Sequence, residues 1–188
     1  MKNLETKDLF IRKPRIEDAK FTYENWFSNS SVAYQLDFSP HVNIIETEAI
    51  IMSAIKDFDS NLPIWIIEIK ETKQLIGYVK MTMASYEYKK CNVIYYILSE
   101  YEKEFEKDAL QEIVNYLLKE EGFETIIFGF YDTDIDKTNF KKKVLKGIGA
   151  KKEGVLRNRK VNPLTGKKNN KLIFSIIKED LKQNKSKI

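Results

Sequence analysis

Histidine and cysteine, which often serve as metal ligands and in nucleophilic catalysis, each occur only once in this chain. His41 is the only histidine and Cys91 is the only cysteine. A metal site built from several His or Cys ligands is therefore excluded, and a Ser-His-Asp triad would have to use His41. Cys91 lies at the edge of a strand-like run and has no specific partner that would lower its thiol pKa. We expect it to pack in the core, and a lone cysteine also excludes an internal disulfide.

Charge is distributed unevenly, although the net charge is only +4. Residues 100–136 contain twelve acidic side chains and three lysines, whereas residues 141–171 contain twelve basic side chains and one acid, Glu153. Both runs are typical of a solvated surface. The basic run could also bind nucleic acid or another acidic partner, but it contains no aromatic residue for base stacking and only Phe140 lies beside it. We therefore do not expect nucleic acid as the main partner.

The elements that must position these residues follow from the hydrophobic pattern. Thr47 is a good candidate N-cap for the second helix, residues 28–43 are turn-rich, and Gly122 ends the longest helix. The order of long helices between strands favours a mixed sheet covered by helices. The predicted strands are 9–11, 64–69, 75–83, 93–98, 125–130, 154–159 and 172–177, and the predicted helices are 18–27, 47–58, 99–121 and 140–148.

Length and composition limit the protein class. The chain has 188 residues, which fits one domain over 1–188 with a polar, frayed tail at about 181–188. No apolar run approaches the roughly 20 residues that cross a bilayer, and residues 1–8 contain no apolar signal core. The sequence therefore predicts a cytoplasmic protein without a membrane segment.

Five phrases follow one another along the chain: LETKDLFIRKPRIEDA, WIIEIKETKQLIGYVKM, NVIYYILSEYEKEFEKDALQEIVNYLL, VLKGIGAKKEGVLRNRKVN and KLIFSIIKEDL. In their order and spacing they resemble the GNAT N-acetyltransferase family, in the branch that includes the ribosomal-protein N-terminal acetyltransferases. The resemblance covers roughly residues 4–181. It implies an α/β (α+β) acyl-CoA N-acyltransferase fold, with a mixed, mostly antiparallel central sheet and helices on both faces. It also implies a homodimer.

The resemblance implies acetyl transfer from acetyl-coenzyme A to the primary amine of a small molecule or a protein N-terminus. The amine would attack the thioester while a base takes its proton and an acid protonates the thiolate. Residues 32–47 would form part of the acceptor pocket, lined by Tyr34, Asp37 and His41. The cofactor-binding residues implied by the family pattern are Tyr96, Ile97, Leu98, Ser99, Lys103, Glu104, Phe105, Glu106, Lys107 and Asn139.

The sequence departs from the family at its phosphate-binding loop. The family loop reads roughly Arg/Gln-x-x-Gly-x-Gly/Ala, whereas residues 101–106 place Glu104 and Glu106 where small residues are expected. Glycine allows the backbone to approach a phosphate closely, and carboxylates repel it. Ser99 and Glu102 could instead form a capping box. The sequence therefore predicts a helix that begins near Glu100, about one turn earlier than in the family, and fills the phosphate site.

Other family positions differ as well, and no catalytic acid or base can be named. A glutamate that often activates the amine through water corresponds to Val93, and a tyrosine of the last strand corresponds to Phe174. The family's Asn-x-x-Ser pattern near the last helix, which contacts the cofactor, falls on Thr138 and Lys141, and Asn139 lies one residue after Thr138. The usual Gly-Phe after that helix is Gly149-Ala150. These departures leave a second hypothesis open, a non-catalytic GNAT-like module that binds a ligand or a protein partner.

Overall fold

The computed structural model describes residues 1–36, 38–59, 63–162 and 165–183. The chain forms two compact units, each built from two stretches of sequence. The first unit comprises residues 1–82 and 94–105, and the second comprises 83–93 and 106–188. The prediction of a single domain over 1–188 stays a prediction.

The first unit is built on antiparallel strands. Strand neighbours follow the order β1-β2-β3-β4-β5, and the first three pairs are antiparallel. Strand β3 is almost wholly apolar, and Trp65, Ile66 and Ile67 are buried there. The strands are β1 (Leu4–Glu5), β2 (Leu9–Arg12), β3 (Ile64–Ile69), β4 (Leu75–Ser85) and β5 (Lys90–Ile97), of which the last residues of β4 and the first of β5 belong to the second unit.

The second unit contains the parallel step of the sheet. Strand β5 is parallel to β6, and β6 is antiparallel to β8, which in turn is antiparallel to β7. The predicted mixed, mostly antiparallel sheet is therefore confirmed. Cys91 is fully buried in β5, and burial raises the pKa of its thiol to about 12, as suits a packing residue. These strands are β6 (Thr125–Tyr131), β7 (Lys151–Val161) and β8 (Lys168–Ile177).

The predicted helix over 18–27 is present, but its second half is wound more loosely. It comprises α1 (Asp18–Thr22) and a π-helical turn (Tyr23–Phe27), closed by a bond from the Ser28 N–H to the Tyr23 carbonyl five residues back. The π turn brings two consecutive side chains, Trp26 and Phe27, into the core.

Residues 30–36, predicted as part of a turn-rich stretch, form a helix instead. Helix α2 (Ser30–Leu36) is capped by the Asn29 side chain, which accepts hydrogen bonds from the N–H groups of Ser31 and Val32. It buries Val32 and Ala33. The helix was missed because only two of its seven residues are buried, so the segment lacks an apolar stripe long enough to recognise.

Helix α3 (Ile44–Lys56) starts three residues before the predicted position. Its N-cap is Asn43, whose side chain accepts from the Glu46 N–H, so Thr47 as the N-cap was wrong. Thr47 is instead buried in the second turn. Helix α5 (Ile135–Gly147) also starts early, because Asp134 caps it by accepting from the Lys137 N–H.

Helix α4 (Glu102–Lys119) is the longest helix and buries the predicted stripe from Phe105 to Leu118. Strand β8 ends before a short helix, α6 (Asp180–Gln183), which falls partly on the predicted frayed tail. Residues 184–188 of that tail lie outside the described part of the chain. Over that part, no helix is long and apolar enough to cross a membrane.

Candidate functional site

The end of β5 lies very close to β4. The Leu98 N–H donates to the Ile76 carbonyl at 2.8 Å, and a Cβ atom placed on Gly77 would lie 2.2 Å from the Tyr96 carbonyl oxygen. Only glycine permits this approach. Gly77 is a site-supporting residue that the sequence reasoning missed, although an isolated glycine inside a strand pattern signals close backbone approach.

The parallel ladder of β5 with β6 covers only the first half of the strand. This ladder joins Lys90–Val93 to Thr125–Phe128, whereas β5 continues to Ile97. Tyr96, Ile97, Leu98 and Ser99, the residues assigned from the family pattern, therefore occupy the stretch of β5 and the turn after it that lie beyond this ladder. Backbone groups at such a strand end can serve a ligand.

Tyr96 joins this strand end to an aromatic cluster of the first unit. Its ring lies 6.3 Å from the Trp26 ring in an edge-to-face contact, and Trp26 in turn contacts Tyr78 and Phe21. Burial, and then the charges of Glu102 and Glu100, raise the pKa of Tyr96 to about 12. The phenol is therefore protonated at neutral pH and can donate a hydrogen bond.

The turn after β5 leads directly into α4. The Tyr101 N–H donates to the Leu98 carbonyl, and the Tyr101 carbonyl accepts from Glu104 and Phe105, which makes Tyr101 the N-cap. The helix therefore begins at Glu102, two residues later than predicted, and Ser99 is not its N-cap. The predicted capping box was wrong for this reason.

The acidic side chains of this first turn do not share one environment. Glu104 and Lys103 are exposed and Glu102 is half-buried, whereas Phe105 and Glu106 are buried. Glu106 is thus not part of the exposed acidic surface, as the sequence reasoning had supposed. Glu104 and Phe105 border a cavity of about 590 Å³ that Lys7 and Lys70 also line.

Three of the assigned cofactor residues belong to the second unit: Glu106, Lys107 and Asn139. The Lys107 side chain passes 3.5 Å from the position of a Cβ on Gly147 near the end of α5. Asn139 is exposed on α5, where its Oδ1 accepts from the Lys142 Nζ at 3.4 Å. The family pattern alone, and no contact of the described residues, links Asn139 to the strand end.

Two of the three predicted acceptor residues, Tyr34 and His41, lie within the described part of the chain. Tyr34 lies on α2 and is half-buried, and Asp37 lies outside the described residues. His41 stacks on Phe27 with ring centroids 4.9 Å apart, and its backbone N–H donates to the Phe27 carbonyl. Its Nδ1 lies 2.7 Å from the Thr47 Oγ1. His41 is therefore fixed in an aromatic wall that Phe38 extends at 6.0 Å.

The environment of His41 predicts a pH effect on stability. Burial lowers the pKa of His41, against a smaller rise from Glu46. The unfolded chain, with a His pKa near 6.5, then binds more protons than the folded one as pH falls below about 6.5, so stability present above that pH is lost on acidification. We expect the melting temperature of wild type to fall more between pH 7.5 and 5 than that of His41→Gln. Equal shifts in thermal melts of the two proteins would contradict this.

No group of three or more His, Cys, Asp or Glu side chains that could hold a metal ion occurs within the described ranges. Val93, at the position where the family often carries a glutamate, is buried in the core.

The chain matches the model of a known protein family. The model of the acetyltransferase (GNAT) domain matches residues 8–144. No curated protein sequence matches the chain significantly.

Several solved structures share the fold at low sequence identity. Ribosomal-protein-S5-alanine acetyltransferase from Vibrio fischeri has a TM-score of 0.78 at 16% identity, covering 95% of this chain and 97% of that one. Spermidine N-acetyltransferase from Vibrio cholerae, in complex with CoA and spermine, has a TM-score of 0.77 at 17% identity, covering 93% and 98%. An acetyltransferase of the GNAT family from Bacillus anthracis has a TM-score of 0.72 at 17% identity, covering 94% and 99%. The expected fold is thereby confirmed.

Proposed function

Since this chain belongs to the acetyltransferase (GNAT) domain family, we propose that it transfers an acetyl group from acetyl-coenzyme A to a primary amine. The acceptor would be a small molecule or a protein N-terminus, as in the spermidine and ribosomal-protein enzymes that share the fold. The observation that carries the proposal is the strand end at Tyr96–Ser99, which runs beyond its parallel ladder and then directly into α4.

The backbone of this strand end suits the amide-containing arm of the cofactor. Neighbouring residues of a strand direct their N–H and C=O groups to opposite edges. Leu98 donates toward β4, so Tyr96 faces the same edge and Ile97 faces the other. Ile97 therefore lies where its backbone groups could bind the pantetheine amides, while the buried side chains of β5 hold the strand rigid.

The start of α4 suits the cofactor phosphates less well. The N–H groups of Glu102 and Lys103 precede the first intrahelical bonds, and Lys103 and Lys107 are exposed cations that could approach a phosphate. Glu102 and Glu104 bring two carboxylates to the same turn, which opposes a pyrophosphate. We therefore expect acetyl-coenzyme A to bind, but weakly.

Bound acetyl-coenzyme A would supply the thioester that the amine attacks. The backbone of β5 would bind the pantetheine arm of the cofactor. The acceptor would lie beside the aromatic wall of Phe27, Phe38 and His41. Tyr34 would line the same pocket. Asp37, which the sequence predicts there, lies outside the described residues. A homodimer stays a prediction of the family resemblance.

A non-catalytic binding module is the second candidate. The observations that favour it are the acidic first turn of α4 and the buried Val93. Isothermal titration calorimetry with acetyl-coenzyme A separates the two candidates. Binding at any cofactor concentration below about 1 mM, followed by thiol release with an amine acceptor, would support the enzyme. No heat up to millimolar cofactor would favour the binding module and send the search to protein partners.

The acidic turn gives a sharper test of cofactor binding. We expect Glu102→Gln/Glu104→Gln to raise acetyl-coenzyme A affinity by about tenfold, because it removes two like charges near the phosphates without altering helix length. Glu106 is left unchanged because its side chain is buried. The matched control, Glu48→Gln/Glu87→Gln, removes two charges from α3 and the turn after β4 and should leave the affinity unchanged. If Glu102→Gln/Glu104→Gln does not raise the acetyl-coenzyme A affinity, the cofactor phosphates do not bind at this turn.

A further inference from the structure

The second unit contains a groove that the proposed acetyl transfer does not use. It has a volume of about 400 Å³ and lies among α5, β7, β8 and the end of β6. We call it the α5 groove. Its lining residues are Asp132, Ile135, Thr138, Lys142, Lys152, Val155, Lys167, Asn170 and Leu172.

Three lysines converge on the α5 groove from three separate segments. Lys142 comes from α5, Lys152 from β7 and Lys167 from the turn before β8. Across the described part of the chain, none of the three forms a salt bridge, and Lys142 makes one long hydrogen bond to Asn139. By contrast, the neighbouring Lys151 of β7 is paired with Asp180 at 2.6 Å. The three groove lysines are therefore available to an anion.

The one carboxylate in the lining is already engaged by hydrogen-bond donors. Asp132 accepts from the Asn170 backbone N–H at 2.7 Å and from the Asn170 Nδ2 at 2.8 Å, and the Asn169 Nδ2 also donates to it. Burial raises the pKa of Asp132, but these hydrogen bonds outweigh it and hold the pKa below its usual value. The carboxylate of Asp132 is thus held by its neighbours in the wall of the groove. The described lining contains three lysines and one acid, so its net charge is positive.

The apolar part of the lining suggests what else the ligand contains. Ile135 and Val155 are 68% and 41% exposed, and Leu172 also lines the groove. Among the described residues, no aromatic side chain lines the groove. Single-stranded nucleic acid binding relies on stacking against such side chains, so a small phosphorylated compound fits better than RNA or DNA.

We infer that the α5 groove binds a small molecule bearing two or more phosphate groups, such as a nucleoside diphosphate. Lysines from three segments that line one groove can pair with adjoining phosphates, and the exposed Ile135 and Val155 can contact the attached ring system. The inference rests on the three groove lysines, none of which is assigned to the cofactor. The lining also includes Thr138, which aligns with the family's Asn-x-x-Ser pattern, so the test must separate the groove from the cofactor site.

Calorimetric titration with inorganic pyrophosphate and with ADP, in low-salt and magnesium-free buffer, tests this. The variant Lys142→Ala/Lys152→Ala/Lys167→Ala should weaken both ligands by about tenfold or more. The control Lys143→Ala/Arg159→Ala/Lys168→Ala removes the same charge from α5, β7 and β8 at exposed positions outside the groove and should retain binding. ADP should bind more tightly than pyrophosphate, since only ADP can contact the apolar rim.

Three results would overturn the inference. Wild type could fail to bind pyrophosphate and ADP, or both triple variants could lose binding equally, which would indicate unspecific surface charge. Acetyl-coenzyme A could also displace pyrophosphate with the same dependence on the three groove lysines, which would make the groove part of the cofactor site. If the triple variant does not fold in a thermal melt, Lys152→Glu alone supplies the same comparison.

Discussion

Replacing Arg12 with methionine should lower the free energy of unfolding by about 3–5 kcal/mol, because it leaves the buried Asp18 without its cation and leaves Glu68 with only the exposed Lys73 ammonium, 3.8 Å away. The Arg12 guanidinium donates to both oxygens of Asp18, at 2.9 and 2.8 Å, and to Glu68 at 2.7 Å. All three side chains are at least nine-tenths buried. Burial lowers the pKa of Arg12, but the two carboxylates outweigh burial and raise this pKa above its usual value, so the guanidinium stays charged. Urea denaturation gives the stability change.

Two further variants show whether the unpaired charge causes the loss. Lys70→Met breaks the more exposed pair with Glu5 and should cost less than about 1 kcal/mol. Arg12→Met/Asp18→Asn/Glu68→Gln should recover part of the stability lost in Arg12→Met, since no buried charge then remains. A loss in Arg12→Met no larger than in Lys70→Met would show that the network contributes little.

Gly77→Ala should destabilise the protein by about 3 kcal/mol, because the new methyl group would overlap the backbone of the neighbouring strand. The added Cβ would lie 2.2 Å from the Tyr96 carbonyl oxygen and 3.0 Å from the Ile97 Cα. Neither atom belongs to a side chain that could rotate away, so β4 and the end of β5 must separate. Under the proposed function this displaces the residues that bind the cofactor arm. Acetyl-coenzyme A affinity should therefore fall together with stability.

Gly154→Ala is the matched control for this substitution. Gly154 also lies within a strand, but no heavy atom lies within 4 Å of its added Cβ. Its effect on stability should stay within about 1 kcal/mol of zero, in either direction. Equal behaviour of the two variants in urea denaturation, or a Gly77→Ala protein with wild-type stability, would contradict the close approach of β4 and β5.

The sequence alone determined the elements that repeat a period over many residues. The stripe from Phe105 to Leu118 predicted α4, and the apolar run of β3 predicted a buried strand; both are present. Such patterns are readable because every turn or every second residue repeats the same signal. The mixed sheet was predicted from a different signal, the order of long helices between strands. Helix starts were less accurate, since Asn43 and Asp134 act through single side-chain hydrogen bonds that leave no periodic trace.

Only the tertiary structure decided which polar residues share an environment. Glu104 and Glu106 are two positions apart in an acidic run, yet one is exposed and the other is buried, because successive helical positions face different directions. Arg12, Asp18 and Glu68 meet although up to 56 positions separate them, and Lys142, Lys152 and Lys167 line one groove from three segments. Long-range packing brings these groups together, and the spacing of residues along the chain carries no record of it.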